Sequence, residues 1–145
     1  MKLIAHRGNI HGPDINQENR PEHLLFAIQK GFDVEVDIWV LDDEILLGHG
    51  SPEYLISEEF IFLISDKAWF HCKNLEALRY FHGSSHKYFW HQSDDFTLVS
   101  NGYIWTYPEK MTTDKSIIVC LNKEDIVPQA YGICSDYVAD LVVVA

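Results

Sequence analysis

The sequence predicts an α/β fold with parallel strands and with reduced helices in its second half. In the first half, short apolar strands alternate with helix-like segments, which is the pattern of parallel strands joined by crossover helices. After residue 94 the chain instead holds short strand-like pieces separated by turns. No repeat, low-complexity tract or linker interrupts the chain, so residues 1–145 are expected to form one domain.

The first strand and the first helix are marked by their boundaries. Residues 2–6 form an apolar run that stops at Arg7, where a loop rich in turn-forming residues begins. Pro21 stands where a first helical turn is expected, since its missing N–H costs no hydrogen bond there. Gly31 then provides a C-terminal stop. The sequence therefore predicts a strand, a loop and a helix in that order.

The next strand has the clearest periodicity in the chain. Apolar and polar side chains alternate along residues 33–41, as they do in a strand with one face in the core. A turn at residues 42–43 leads to a returning strand at 44–49. Ser57 and Asn74 are predicted to cap two further helices, because their side-chain oxygens can accept a backbone hydrogen bond. The other predicted strands are residues 68–73, 86–91, 96–99, 103–107, 116–121 and 132–138.

Composition limits the class of protein and of partner. Hydrophobic residues make up 47% of the chain, which is enough for a folded core. The net charge of −11 argues against a nucleic-acid partner, because affinity for nucleic acid depends on basic side chains that neutralise phosphates. No apolar stretch reaches the ~18 residues of a membrane span, and no signal peptide is recognisable. A cytoplasmic protein is therefore expected.

Several ionisable side chains stand at or inside apolar strands, where a plain core residue would be expected. Glu35 and Asp37 are two residues apart in one strand and so share a face. Two buried carboxylates repel each other unless a cation such as Mg²⁺ or Ca²⁺ lies between them. His6 ends the first strand and His49 ends the returning strand, and two histidines near such a cation could serve as general acid and base. Arg7 offers a planar fork that suits a phosphate oxygen.

A second interpretation of the same residues needs no ligand. Glu35 and Asp37 would then form the solvated face of an edge strand, and the histidines would be satisfied by backbone groups. Acidic residues at a period of two are common, so spacing alone does not exclude this alternative.

Four motifs of the N-terminal third resemble the opening of the glycerophosphodiester phosphodiesterase family, within the PI-PLC-like phosphodiesterase superfamily. Residues 4–8 read IAHRG, residues 18–19 read EN, residues 31–37 read GFDVEVD and residues 47–49 read LGH. The family opens with the same kinds of motif in the same order. Residues 132–137, GICSDY, also resemble its closing strand. The chain is identified on this basis as a short, divergent relative of the family.

The resemblance implies a fold and a set of roles. The fold would be a TIM-type (β/α) barrel, here small or incomplete, because such barrels run to about 250 residues. His6 and His49 would be the catalytic acid–base pair. Glu35 and Asp37 would be metal ligands, and Glu18 would be a further ligand or a supporting carboxylate.

The predicted strand at residues 68–73 departs from the family pattern. Where the family reads Glu-x-Lys, this chain has His71 and Lys73. Lys73 would join Arg7 in binding phosphate, and His71 would take the place of a metal-binding carboxylate. An imidazole ligand shifts the expected metal from Mg²⁺ or Ca²⁺ towards Mn²⁺, Zn²⁺ or Fe²⁺. The chain also has Gly50 after His49, where the family has Asp.

Two residues farther along are predicted to line the pocket. His91 ends the predicted strand 86–91, and Trp105 lies towards the end of the strand at 103–107, both at the level of the inferred site. The alternatives are a capped loop histidine and a core aromatic. The remaining histidines, at positions 11, 23, 82 and 86, are expected on the surface.

Three functions are consistent with these residues. The leading one is a metal-dependent phosphodiesterase of lipid metabolism that hydrolyses a small glycerophosphodiester-like substrate, by way of a cyclic phosphate. The second is a non-catalytic descendant that binds a phosphorylated ligand or a metal. The third is a metal-independent phosphodiesterase or lyase that uses the two histidines and Arg7. An incomplete barrel would expose apolar strand edges, so pairing into a homodimer is also expected.

Overall fold

The computed structural model describes residues 1–120, 122 and 129–142. The strands in these residues are β1 (Lys2–His6), β2 (Asp33–Leu41), β3 (Glu44–Leu47), β4 (Tyr54–Ile56), β5 (Ala68–Cys72), β6 (Lys87–Phe89), β7 (Phe96–Leu98), β8 (Ile104–Thr106), β9 (Ser116–Val119) and β10 (Gly132–Ser135). The helices are α1 (Pro21–Gln29), α2 (Glu58–Ile64), α3 (Leu75–Phe81) and α4 (Val138–Leu141).

All of these strands belong to one mixed sheet that curls into a half-barrel. Parallel pairing runs through β6, β5, β2, β1, β10, β9 and β8 in that order. β3 and β4 extend from β2 as an antiparallel meander, and β7 pairs antiparallel with β8. The carboxyl ends of the parallel strands therefore meet along one rim of the curl.

The predicted small or incomplete TIM-type barrel is wrong. The sheet is an open, mixed half-barrel, and its few helices are short. One reason is the length of the connections, since a helical crossover between parallel strands takes about a dozen residues or more. Parallel strands β8 and β9 are joined by residues 107–115, which form no helix. The sequence pattern anticipated the loss of helices but not the change of architecture.

Most local predictions are confirmed. Pro21 is the first residue of α1. The Ser57 side chain accepts a hydrogen bond from the Phe60 backbone and caps α2, and Asn74 caps α3 in the same way. Several strands end earlier than predicted; β9, for example, ends at Val119, and residue 121 of the predicted strand 116–121 lies outside the described residues.

Side-chain alternation divides the core into two layers. Along β2, fully buried Val34, Val36 and Ile38 pack with residues of α1, α2 and α3 on the convex side. A second cluster, on the concave side, draws residues from six of the parallel strands and from the β7–β8 turn: Ile4, Trp69, Phe89, Val99, Trp105, Ile117 and Cys134. The polar residues of β2 face this concave layer. No helix among the described residues has the length and apolar character needed to cross a membrane.

Candidate metal centre

Two carboxylates are buried on the concave face of β2. Glu35 is 2% exposed and Asp37 is 1% exposed. β2 is not an edge strand at this point, because β1 and β5 pair with it on opposite sides. The alternative of a solvated edge face is therefore wrong, and two buried negative charges need compensation from their surroundings.

His71 completes a three-residue group with these carboxylates. It lies on β5 directly opposite Asp37 in the strand register. Its Nδ1 atom is 3.6 Å from Glu35 Oε1 and 3.2 Å from Asp37 Oδ1. One ligand atom from each residue falls within 4.8 Å of the others, so the group can hold a metal ion.

The hydrogen bonds of His71 determine which ring nitrogen faces the carboxylates. Nε2 lies 3.0 Å from the backbone carbonyl oxygen of His91, and a carbonyl only accepts, so Nε2 carries a hydrogen. Nδ1 thus faces two carboxylates and must share a proton or a metal ion with them. Burial lowers the pKa of His71, but hydrogen bonds to Asp37 and Glu35 outweigh it and raise that pKa to about 9. Without metal, a proton fills this position at neutral pH.

The raised pKa of His71 predicts a pH-dependent stability for the metal-free protein. Because the folded pKa of about 9 exceeds the ordinary value of 6.5, protonated His71 stabilises the fold fully below pH 6.5. That contribution, about 3 kcal/mol, is lost as the pH rises through 9. Urea unfolding in chelator at pH 6 and pH 9.5 measures it. His71→Gln should remove most of the difference, and an unchanged difference in that variant would contradict this assignment.

The two carboxylate oxygens of Asp37 have different surroundings. Asn19, itself fully buried, donates from Nδ2 to Asp37 Oδ2 at 2.9 Å and accepts the Asp37 backbone N–H at 3.0 Å. Burial raises the pKa of Asp37, but hydrogen bonds from His49 and His71 hold it well below its usual range. Oδ1 is buried and faces His71 Nδ1 at 3.2 Å, where the proton or metal ion that the two groups share would lie. A buried, ionised carboxylate oxygen turned towards an imidazole nitrogen fits a metal ligand.

A cleft of about 400 Å³ opens above this group at the carboxyl rim of the strands. Most of the residues predicted for the site line it. The lining residues are His6, Arg7, Glu35, His49, His71, Lys73, His91, Gln92, Trp105, Tyr107 and Val119.

His6 is oriented by a carboxylate from the far end of the chain. Burial raises the pKa of Asp136, but the hydrogen bond with His6 outweighs it, so Asp136 is ionised and accepts from His6 Nδ1 at 2.9 Å. His6 Nε2 then lies 3.8 Å from Glu35 Oε2, on the side of the metal group. Burial lowers the pKa of His6, but the bond to Asp136 and the charge of Glu35 raise it overall.

Arg7 is engaged by side chains of the protein through its backbone N–H and through its guanidinium. Its backbone has a left-handed φ of 55°, and its N–H donates to Glu35 Oε2 at 3.3 Å. The guanidinium donates to Glu18 Oε2 and to His49 Nε2, both at 3.1 Å, and its Nε is 3.3 Å from Asp37 Oδ2. Since His49 accepts at Nε2, its hydrogen is on Nδ1, 3.5 Å from Asp37 Oδ2.

Glu18 and Lys73 occupy different positions around the group. Glu18 lies outside the three-residue metal group and accepts hydrogen bonds from Arg7 and Asn9. Of the two roles implied for Glu18, its contacts fit the supporting carboxylate. Lys73 follows β5 on the cleft wall and forms no salt bridge with any residue the structure describes. Its ammonium is therefore available to an anion in the cleft.

The aromatic side of the cleft is built by His91, Tyr107 and Trp105. The ring of His91 lies 5.6 Å from that of Tyr107. Trp105 stacks on Phe89 at 4.5 Å and is 5% exposed, so it belongs to the concave core as well as to the cleft wall.

Three residues of the site were assigned no role from the sequence: Asn9, Asn19 and Asp136. Asn19 and Asp136 stand inside motifs that were recognised, but their contacts cross long stretches of chain and leave no periodic signal. Asn9 directly follows the first motif and is 1% exposed. His23, expected on the surface, is half-buried and hydrogen-bonds Asn9.

No protein-family model, curated protein or solved structure matches the chain. The resemblance to the glycerophosphodiester phosphodiesterases therefore stays a prediction. The functional interpretation depends on the geometry of the cleft and on the sequence motifs that form it.

Proposed function

We propose that this chain is a metal-dependent phosphodiesterase for a glycerophosphodiester-like substrate, and a short, divergent member of the glycerophosphodiester phosphodiesterase family. The observation that carries the proposal is the buried Glu35–Asp37–His71 group, with Asp37 Oδ1 facing His71 Nδ1, beneath a cleft that also holds His6. A buried metal-binding group next to an oriented histidine suits hydrolysis of an ester better than simple structural support.

Glu35, Asp37 and His71 would hold a divalent cation. When bound, it would supply Lewis-acid stabilisation for the charge that builds on the phosphate oxygens. Two oxygen ligands and one imidazole nitrogen favour Mn²⁺ or Zn²⁺ over Ca²⁺ or Mg²⁺.

His6 serves as the base in the first step. Asp136 holds the hydrogen on Nδ1, so Nε2 accepts the proton of the substrate hydroxyl next to the phosphate. The oxygen of that hydroxyl forms a new bond to phosphorus, and the bond from phosphorus to the leaving alcohol breaks. The products are a cyclic phosphate and the free alcohol.

His49 serves as the acid in the same step. A protonated His49 gives its proton to the leaving oxygen, which requires Arg7 Nη2 to release His49 Nε2. The released Arg7 donor, together with the Lys73 ammonium, can then bind phosphate oxygens. Water opens the cyclic phosphate in a second step, with the two histidines in reversed roles.

The test compares two substrates by ³¹P NMR, one a glycerophosphodiester and the other a dialkyl phosphodiester without a neighbouring hydroxyl. Protein reloaded with Mn²⁺ should hydrolyse the first and leave the second intact, whereas chelated protein should hydrolyse neither. Hydrolysis that survives chelation would overturn metal dependence in favour of a metal-independent enzyme. Tight Mn²⁺ binding with no turnover would instead favour a non-catalytic binding protein.

A further inference from the structure

Asn9 makes three side-chain hydrogen bonds in the interior of the protein and uses both of its N–H donors. Its Nδ2 donates to Asp136 Oδ1 at 2.8 Å and to Glu18 Oε1 at 3.1 Å. Its Oδ1 accepts from His23 Nε2 at 3.0 Å. With 1% exposure, Asn9 cannot exchange these partners for water without local opening.

The two carboxylates that Asn9 binds each hold a different functional group of the cleft. Asp136 accepts from His6 Nδ1, and Glu18 accepts from the guanidinium of Arg7. His6 and Arg7 are consecutive in the chain, and their side chains diverge towards these two partners. A single amide group therefore fixes the position of one functional group relative to the other.

We infer that Asn9 is the positioning residue of the cleft, which sets His6 and Arg7 in register with each other through Asp136 and Glu18. The inference deepens the proposed function and rests on it for the roles of His6 and Arg7. The Asn9 amide donates to the carboxylates of Glu18 and Asp136 and not to His6 or Arg7, so it acts on those two residues through the carboxylates.

The chemistry of this position requires an asparagine. Two carboxylates that approach the same point need two N–H donors and no added charge, which one primary amide supplies. An aspartate of the same shape has no donor and would place a third negative charge beside Glu18 and Asp136. A serine hydroxyl has one hydrogen and can serve only one of the two carboxylates.

The variants Asn9→Ser and Asn9→Asp test the inference in the Mn²⁺-loaded protein, with the exposed Asn101→Asp as a control for charge. Misplacement of a reacting group by about 1 Å can cost 10²-fold in rate, so kcat for a glycerophosphodiester should fall roughly 100-fold in Asn9→Asp. Asn9→Ser should give a smaller fall, with KM changed less than kcat. Urea unfolding of each variant checks that it is folded.

A second readout does not depend on activity. ¹⁵N NMR of the neutral His6 ring should show the Nδ1–H tautomer in the wild type and in Asn101→Asp. In Asn9→Ser a larger fraction should carry the hydrogen on Nε2, because Asp136 is less firmly held. An unchanged tautomer with unchanged kcat in Asn9→Ser would overturn the inference, even if the variant were less stable. If the wild type lacks activity, the proposed function fails, and the tautomer still decides the role of Asn9.

Discussion

Alanine in place of His6 is expected to lower kcat for a glycerophosphodiester roughly 10²- to 10⁴-fold, the range for loss of a general acid or base. The reason is that His6 Nε2 is the ring nitrogen left available in the cleft when Asp136 takes Nδ1. His49→Ala should cause a fall of the same order by removing the acid. Initial rates with Mn²⁺-loaded protein measure both effects.

The control for this pair is His11→Ala, because His11 is an exposed histidine away from the cleft. That variant should keep its rate within about twofold. Mn²⁺ affinity of His6→Ala should stay within about tenfold of the wild type, since His6 is not one of the three ligands. Rates of His6→Ala and His49→Ala equal to that of His11→Ala would remove both histidines from the mechanism.

Replacing His71 with glutamate is expected to change which metal the protein binds. The substitution exchanges the one nitrogen ligand of the group for a carboxylate and leaves a site with oxygen ligands alone. Such sites prefer Ca²⁺, Mg²⁺ or Mn²⁺, whereas imidazole favours Zn²⁺. The ratio of Zn²⁺ to Ca²⁺ affinity should therefore fall by more than about 100-fold, the upper end of the losses caused by groups that only support the ligands.

Isothermal titration calorimetry of the wild type, His71→Glu and the exposed control His82→Glu measures this ratio. The control adds the same charge at the surface and should leave the ratio unchanged. His71→Ala extends the series, because it should weaken both metals without reversing their order. A ratio in His71→Glu equal to that in the wild type would mean that the metal binds elsewhere or not at all.

Local sequence patterns predicted the elements that position the site. Alternation along β2 correctly placed Val34, Val36 and Ile38 on one face and the two carboxylates on the other. These signals are local, since a capping residue or a period of two depends on a few neighbouring positions. The predicted architecture was wrong because closure of a barrel depends on how distant strands pair. The pattern of apolar and polar residues along a strand is the same for an open and a closed sheet.

The residues of the site also divide into those that the sequence reveals and those that only long-range contacts reveal. The Glu35–Asp37 pair was recognisable because both are polar residues in an apolar strand, and His71 because it stands where the family it resembles has a metal-binding glutamate. The orienting groups were not, because the bond between His6 and Asp136 joins opposite ends of the chain. Whether Arg7 is free or bound also depends on contacts from three separate segments, which spacing along the sequence does not record.

Diffraction from crystals grown with Mn²⁺, recorded at a wavelength where manganese scatters anomalously, tests the metal centre most directly. The expected result is one strong anomalous peak between Glu35, Asp37 and His71, within about 2.0–2.3 Å of one atom of each residue. His71 should coordinate through Nδ1 while Nε2 keeps its bond to the His91 carbonyl. A manganese peak elsewhere, or none in the cleft at saturating Mn²⁺, would contradict the account.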